Sequence, residues 1–176
     1  MADGGVGAMQ SFVPGPDNQR ALRDAFGQFA TGVTVVTCSH EGRPLGMTAN
    51  SFSSISLDPA LVMWAPAKSS RRHNPFVAAK DFAIHVLAED QTDLCLAIAM
   101  DGRDFAGANV FNSSRGFPVL ERSLACFECR RHSSQDAGDH TIVLGEVISA
   151  QLSEGKPLLF AQGGYGRFTA AKEAPK

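Results

Sequence analysis

Apolar and polar positions in this chain fall into short blocks, and more of the blocks have a strand pattern than a helical one. Asp17 is placed to cap a helix on which Leu22, Ala25, Phe26 and Phe29 share a face, and Gly32 is expected to end it. Val33 to Cys38 is β-branched and apolar enough for a buried strand. Glu41-Gly42-Arg43-Pro44 reads as a turn, and Leu45 to Asn50 returns as the partner strand of a hairpin. Ser53 to Leu57 continues extended, Asp58-Pro59 turns, and Ala60 to Ala65 forms another strand. Ser70 to Ala79 reads as a short helix. Asp81 to Leu87 alternates, with Phe82, Ile84 and Val86 on one face and Ala83, His85 and Leu87 on the other. Asp90 to Met100 has helical spacing, with Leu94, Leu96 and Ile98 expected in the core and Asp101 as the stop. Ser123 to Arg131 and His140 to Leu152 are further strands across a polar link, His132 to Asp139. Pro157 to Phe160 is a short strand before a glycine loop, Gly163 to Phe168, and Asp101 to Phe117 receives no assignment.

Short strands joined by hairpins, with two or three helices between them, predict a mainly β domain: an antiparallel barrel with peripheral helices. The β-α-β-α alternation of a doubly wound sheet is absent. So is any Gly-x-Gly-x-x-Gly after a strand, and no P-loop signature is present. There is no internal repeat and no linker. At 176 residues the chain predicts one domain, residues 17–170, between flexible tails at 1–16 and 171–176.

Composition narrows the function classes. Hydrophobic residues make up 44% and charged residues 19%, an ordinary globular mixture. A net charge of −2 gives no reason to expect nucleic-acid binding, so any phosphate must be met by locally placed Lys and Arg. No apolar run reaches membrane-spanning length. Met1 to Gly15 has neither a basic start nor an apolar core, so no secretory signal is expected, and the chain reads as cytoplasmic. Cys38, Cys95, Cys126 and Cys129 are then expected as reduced thiols. Cys126-x-x-Cys129 with nearby His132 lacks a second ligand pair, so no metal is assigned.

Three polar clusters carry the candidate chemistry. Thr48-Ala49-Asn50-Ser51-Phe52-Ser53-Ser54 holds four hydroxyls, one amide and no charge, which suits close approach by a planar, anionic ligand. Lys68-Ser69-Ser70-Arg71-Arg72 adds the positive charge that a phosphate needs. Gly138-Asp139-His140-Thr141 puts a histidine at the start of an apolar strand. Separated by core-like segments, the three suggest one ligand site assembled from distant parts of the chain. Each also has an ordinary reading: a hydroxyl-rich turn, a solvated charge run, and a strand-end histidine bonded to Asp139 or solvent. His85 reads as a satisfied core residue, and His40 and His73 as surface loop residues.

Phe29-Ala-Thr-Gly-Val-Thr-Val-Val-Thr37, Gly46-Met-Thr-Ala-Asn-Ser-Phe-Ser-Ser54, Gly138-Asp-His-Thr-Ile-Val-Leu-Gly-Glu146 and Pro157-Leu-Leu-Phe160 resemble, in that order, the short-chain flavin reductases. These are the reductase components of two-component flavin monooxygenases, and the similarity runs from about Phe26 to Phe168. The resemblance implies an antiparallel, Greek-key-like split β-barrel that binds FMN or FAD, usually as a homodimer. It implies NADH or NADPH as hydride donor and a diffusing reduced flavin passed to a monooxygenase partner.

Carried over residue by residue, the resemblance assigns Thr48, Ala49, Asn50, Ser51, Ser53 and Ser54 to the isoalloxazine and ribityl chain. Lys68, Ser69 and Arg71 fall near the phosphate, and His140 near flavin and nicotinamide as the candidate catalytic residue. Asn50 stands where some members have a smaller residue. Two readings stay open for Tyr165 and Arg167: contact with a nucleotide of a neighbouring copy, or fixing of the glycine loop.

Hydride transfer between nicotinamide and flavin needs no protein acid or nucleophile, in keeping with a chain that shows no triad and no paired carboxylates. The protein's tasks would be to stack the two rings and to place backbone N–H groups and hydroxyls at the flavin's polar edge. Three functions compete: an NAD(P)H:flavin oxidoreductase, which is favoured; an FMN-dependent reductase of another acceptor such as a corrinoid; and a non-catalytic flavin-binding dimer module.

Overall fold

A computed structural model describes residues 7–170. The expected tail at 171–176, and residues 1–6 of the expected N-terminal tail, lie outside the described residues.

After a 3₁₀ turn, Pro16–Asn18, comes α1 (Gln19–Phe26). The helix stops at Gly27 rather than at Gly32, because the Gly27 N–H already closes on the Arg23 carbonyl and the chain turns out at Gln28 and Phe29. None of its residues is buried, and Phe26 and Phe29 on the expected core face are exposed. Four strands follow: β1 (Thr31–Gly32), β2 (Thr34–His40), β3 (Arg43–Ala49) and β4 (Ser53–Leu57). Next are β5 (Ala60–Trp64), α2 (His73–Ala78), β6 (Asp81–Val86) and α3 (Thr92–Met100). Then come β7 (Val110–Asn112), β8 (Pro118–Leu120), β9 (Ala125–Ala137), β10 (His140–Leu152), β11 (Leu158–Ala161) and β12 (Gly164–Arg167).

Seven strands form one antiparallel sheet in the order β3-β2-β6-β9-β10-β5-β4. Its two edges, β3 and β4, are consecutive in the chain and only residues 50–52 separate them. The sheet therefore curls back on itself without its edges pairing, which makes a split barrel, and Asn50 to Phe52 run across the seam. β1, β11 and β12 form a small separate sheet, and β7 and β8 a two-stranded one.

The interior strand β6, between β2 and β9, is buried on both sides. Phe82 and Ile84 join Val36, Cys38, Met47, Trp64, Phe76, Cys129 and Val143 in the largest core cluster, where the Trp64 ring meets Phe76 edge-on at 5.3 Å. On the other side Val33, Val35, Leu87, Leu120 and Leu158 pack under α3 with Leu94, Cys95 and Ile98. Leu96 points outward instead of into the core, because Leu94, Cys95 and Ile98 already fill the inward face of α3.

Two segments differ from the sequence expectation. The polar link at 132–139 is mostly strand: β9 pairs with β10 as far as Ala137 opposite His140, and only Gly138 and Asp139 turn. Gly138 sits at φ +64°, where a side chain would be strained. The unassigned stretch 101–117 contains β7 and leads into β8, and Phe117, just before β8, and Val119 within it cover Ala83 and Cys126. Among the described residues, no helix is long and apolar enough to cross a membrane.

Candidate functional site

The hydroxyl-rich segment divides at the seam. At the end of β3, Thr48, Ala49 and Asn50 line a cavity of about 180 Å³ together with Val33, Phe160 and Tyr165. Thr48 Oγ1 donates to the Cys95 carbonyl at 2.9 Å, which ties the strand end to α3. The Asn50 amide makes no side-chain hydrogen bond among the described residues and is exposed. Ser51 bridges the seam: its hydroxyl accepts from the Ala65 N–H at 2.9 Å and faces the Ala65 carbonyl at 3.3 Å. Ser53 and Ser54 lie exposed on the edge strand β4.

Tyr165 reaches this cavity from β12. Its phenol oxygen accepts from the buried Cys95 thiol at 3.2 Å, and its ring meets Phe160 edge-on at 5.3 Å. Partial burial, with the Cys95 contact, pushes the phenol up to about 12, so it stays protonated in ordinary buffers. The wall is thus mainly apolar, with the Asn50 amide and the Tyr165 hydroxyl at its border. Such a lining suits the flat face of a ring with polar edges. Arg167, by contrast, is exposed and lies 3.8 Å from Glu89.

The other two clusters meet each other. The Lys68 N–H donates to the Asp139 carbonyl at 2.8 Å, Lys68 Nζ donates to the Gly138 carbonyl at 2.6 Å, and Lys68 also pairs with Asp136. Ala67 bridges to His140, and the Thr141 N–H donates to the Pro66 carbonyl. Because Ser51 binds Ala65, the chain leads without interruption from the hydroxyl segment to Lys68 and on to His140. The sequence expectation of three convergent clusters corresponds to this linked path rather than to one enclosed pocket.

His140 is partly exposed, and its Nδ1 lies 2.8 Å from Asp139 Oδ1. That is the bond of an ordinary strand-end histidine, and it also leaves Nε2 as the nitrogen open to a ligand. The His140 hydrogen bond and charge hold the exposed Asp139 carboxyl below its usual range, with a smaller contribution from Lys68. Arg71 is exposed and takes part in no ion pair or side-chain hydrogen bond among the described residues. Arg72 is taken up structurally, donating to the carbonyls of Gly46, Ile98 and Ala99.

The remaining candidates resolve as follows. Cys126 and Cys129 are both buried free thiols on opposite faces of β9: Cys126 pairs with His85, and Cys129 with Phe82. They face away from each other. Among the described residues no group of three or more His, Cys, Asp and Glu side chains is placed to hold a metal. His85 is only half satisfied: Nε2 lies 3.2 Å from Thr37 Oγ1, while Nδ1 has no partner. His40 ends β2. His73 is not a surface loop residue but opens α2, half-buried, with Nε2 2.9 Å from Thr141 Oγ1.

Comparison with known proteins decides the family. Residues 26–169 match the profile of the flavin reductase like domain. The chain belongs to the flavin reductase family. It is 52% identical to the FMN reductase (NADH) SmoA of Agrobacterium fabrum, over 90% of this chain and 91% of that one. It is 38% identical to HsaB of Rhodococcus jostii, the reductase subunit of a flavin-dependent monooxygenase, over 89% of this chain and 81% of that one. The solved NADH:FAD oxidoreductase SgcE6 of Streptomyces globisporus, in complex with NAD and FAD fragments, superposes with a TM-score of 0.83 at 36% identity. That match covers 94% of this chain and all of that one.

Sequence reasoning did not single out Val33 and Phe160 as cavity walls, or Cys95 as the group behind Tyr165. Phe160 entered only through the Pro157-Leu-Leu-Phe160 motif, and an apolar strand residue carries no signal that separates a cavity wall from a core position. Cys95 was visible as a cysteine on a helical pattern, but its contact depends on the fold of β12.

Proposed function

We propose that this protein is an NAD(P)H:flavin oxidoreductase that reduces FMN or FAD by hydride transfer and supplies reduced flavin to a partner monooxygenase. The observation that carries the reading is the cavity at the open seam, where Ala49 and Asn50 at the end of β3 face Phe160 and Tyr165 of the C-terminal hairpin. Their mainly apolar lining suits the flat face of a ring. The NADH donor of the Agrobacterium relative and the monooxygenase subunit role of HsaB support the same assignment.

Flavin and nicotinamide supply the redox chemistry themselves. The chain's part is to hold the rings face to face. Thr48, Ala49, Asn50 and Tyr165 border the ring. Ser51 keeps the seam in register through Ala65, and Ser53 and Ser54 offer hydroxyls further along the same edge. Lys68 and Ser69 shape the loop toward the phosphate, and Arg71 supplies the charge left unpaired there. His140 offers Nε2 to the nicotinamide, with Nδ1 fixed by Asp139. Arg167 braces the hairpin against Glu89.

The working form is a homodimer. The exposed Phe26, Phe29, Leu57 and Leu152 are large apolar groups that a second copy would cover. Its place is the cytoplasm, where its four free thiols remain reduced.

The test is NADH and NADPH oxidation by the purified protein with FMN, FAD and riboflavin in parallel. Flavin-dependent bleaching of NADH is the expected result. Bound flavin without any nicotinamide oxidation would overturn the assignment.

A further inference from the structure

No charged side chain lines the seam cavity: its walls are Val33, Thr48, Ala49, Asn50, Phe160 and Tyr165. A flavin ring that takes up a hydride gains negative charge on its polar edge, so neutral donors at the border have to meet it there. The Asn50 amide is one such group. Whether Tyr165 is a second depends on where its phenol proton points, because a hydroxyl both donates and accepts.

The group behind the ring decides that direction. Cys95, on the inward face of α3, is fully buried among Val33, Val35, Leu94 and Ile98. Burial pushes its thiol up, so the sulfur keeps its proton at neutral pH. That proton meets the Tyr165 oxygen at 3.2 Å. The Thr48 hydroxyl is committed to the Cys95 carbonyl at 2.9 Å and brings no hydrogen to the sulfur. Sulfur is in any case a weak acceptor. The thiol therefore occupies the inner side of the phenol oxygen.

The phenol hydrogen keeps close to the ring plane, so with one side of the oxygen taken it turns to the other. Tyr165 makes no second side-chain hydrogen bond among the described residues, and it is 40% exposed at the cavity border. Its O–H is left for an occupant of the cavity. Little else fixes this wall. Beyond the ladder with β11, the side chains of β12 reach the rest of the fold through the Cys95 contact and through Arg167, 3.8 Å from Glu89.

We propose that Cys95 is a positioning residue for flavin reduction: its thiol orients the Tyr165 hydroxyl as a hydrogen-bond donor to the polar edge of the flavin ring, which favours the reduced flavin over the oxidised one. The inference rests on the reading of the seam cavity as the ring site.

Tyr165 is the one tyrosine of the chain, so the Raman doublet of the phenol ring, which distinguishes an accepting from a donating hydroxyl, reports on it alone. In flavin-free protein the doublet should show an accepting phenol, and Cys95→Ala should remove that signature. Anaerobic titrations with oxidised and with reduced FMN read the consequence. Tyr165→Phe should weaken reduced FMN about tenfold more than oxidised FMN, the loss of one hydrogen bond to a charged group. Cys95→Ala should move the same ratio in the same direction, and Cys95→Ser should restore part of it. The double variant should do no more than Tyr165→Phe alone, since Cys95 acts through Tyr165. Cys95→Val, which fills the site without a donor, serves where Cys95→Ala does not fold. An unchanged doublet, equal weakening of both forms of FMN, or a Cys95→Ala effect that adds in full to that of Tyr165→Phe overturns the inference. Flavin reduction by NADH that persists under those results leaves the proposed function standing, and wild-type protein that binds neither form of FMN removes both.

Discussion

The guanidinium of Arg72 spans from the Gly46 carbonyl on β3 to the Ile98 and Ala99 carbonyls at the end of α3, at 2.5 to 3.0 Å. A cation at a helix C-terminus meets carbonyls that have no partner within the helix and the negative end of its dipole. The strand partner has a further constraint: the Gly46 N–H donates to the Gly102 carbonyl, and a Cβ at Gly102 would lie 2.5 Å from the Gly46 oxygen. Arg72 therefore joins the barrel edge that leads into the seam to the helix packed outside it.

Arg72→Ala is expected to act on stability. Loss of three charge-assisted hydrogen bonds and exposure of the freed carbonyls should cost about 2–3 kcal/mol and lower Tm by roughly 5–10 °C. Thermal unfolding by circular dichroism measures this. A Tm unchanged within a degree would show that the contacts contribute nothing.

Gly145→Ala should be comparably damaging for a different reason. A Cβ there would sit 2.6 Å from Phe82 Cζ and 3.0 Å from Cys129 Cβ, inside the main core cluster where nothing can yield cheaply. Overpacking of this kind costs about 1–3 kcal/mol. Denaturant unfolding should show a lower midpoint with an unchanged slope.

These residues also show where the sequence was legible. The β2–β3 hairpin could be read because β-branched residues stop at a Gly-Pro turn and an apolar return follows. Residues 132–137 could not, since their polar side chains hide a ladder made by backbone alone and fixed by the two-residue turn at Gly138 and Asp139. Phe26 and Leu96 fit helical periodicity yet lie exposed, because periodicity marks a face without saying what covers it. In the candidate site the three polar clusters were visible as composition. Their linkage through Ser51, Ala65 and Lys68 depends on which strands become edges, which no local pattern encodes. Arg72 read as one more charge in a run for the same reason.

His85 makes the fold sensitive to acid. Complete burial lowers its pKa from 6.5 to about 3, with Nδ1 unpartnered and Nε2 on Thr37. The depressed value means that the neutral ring's contribution is fully present above pH 6.5 and is lost as pH falls from there toward 3. Glu128, buried on the same face of the sheet with Arg115 4.0 Å away, is the nearby charge to watch. His85→Leu should show a flatter fall of Tm between pH 6.5 and 5 than the wild type. Parallel curves would exclude His85 as the cause.

Alkaline pH should expose the cysteines. Burial pushes the thiols of Cys38, Cys126 and Cys129 up to about 12, well above the usual 9. Raised values in the fold mean that their stabilising contribution is intact below pH 9 and drains away as pH rises from 9 to 12. At pH 8 a thiol reagent such as Ellman's should find almost none of the four cysteines until denaturant is added. Fast release of several equivalents from native protein would contradict this burial.

The phosphate assignment separates two neighbouring cations. Lys68 is already neutralised by Asp136 and held by the Gly138 carbonyl, so its removal should loosen the turn before His140 more than it removes free charge. Arg71 is exposed and pairs with nothing among the described residues, so its charge is available to a ligand. Arg71→Ala should then raise KM for FMN and FAD by about tenfold, one charge-assisted contact, and leave riboflavin, which lacks the phosphate, nearly unchanged. The effect should shrink at high salt, since an exposed charge is screened. Steady-state rates with the three flavins at two ionic strengths measure it. Equal losses for all three would place Arg71 outside phosphate recognition and leave the charge of this face without a ligand role.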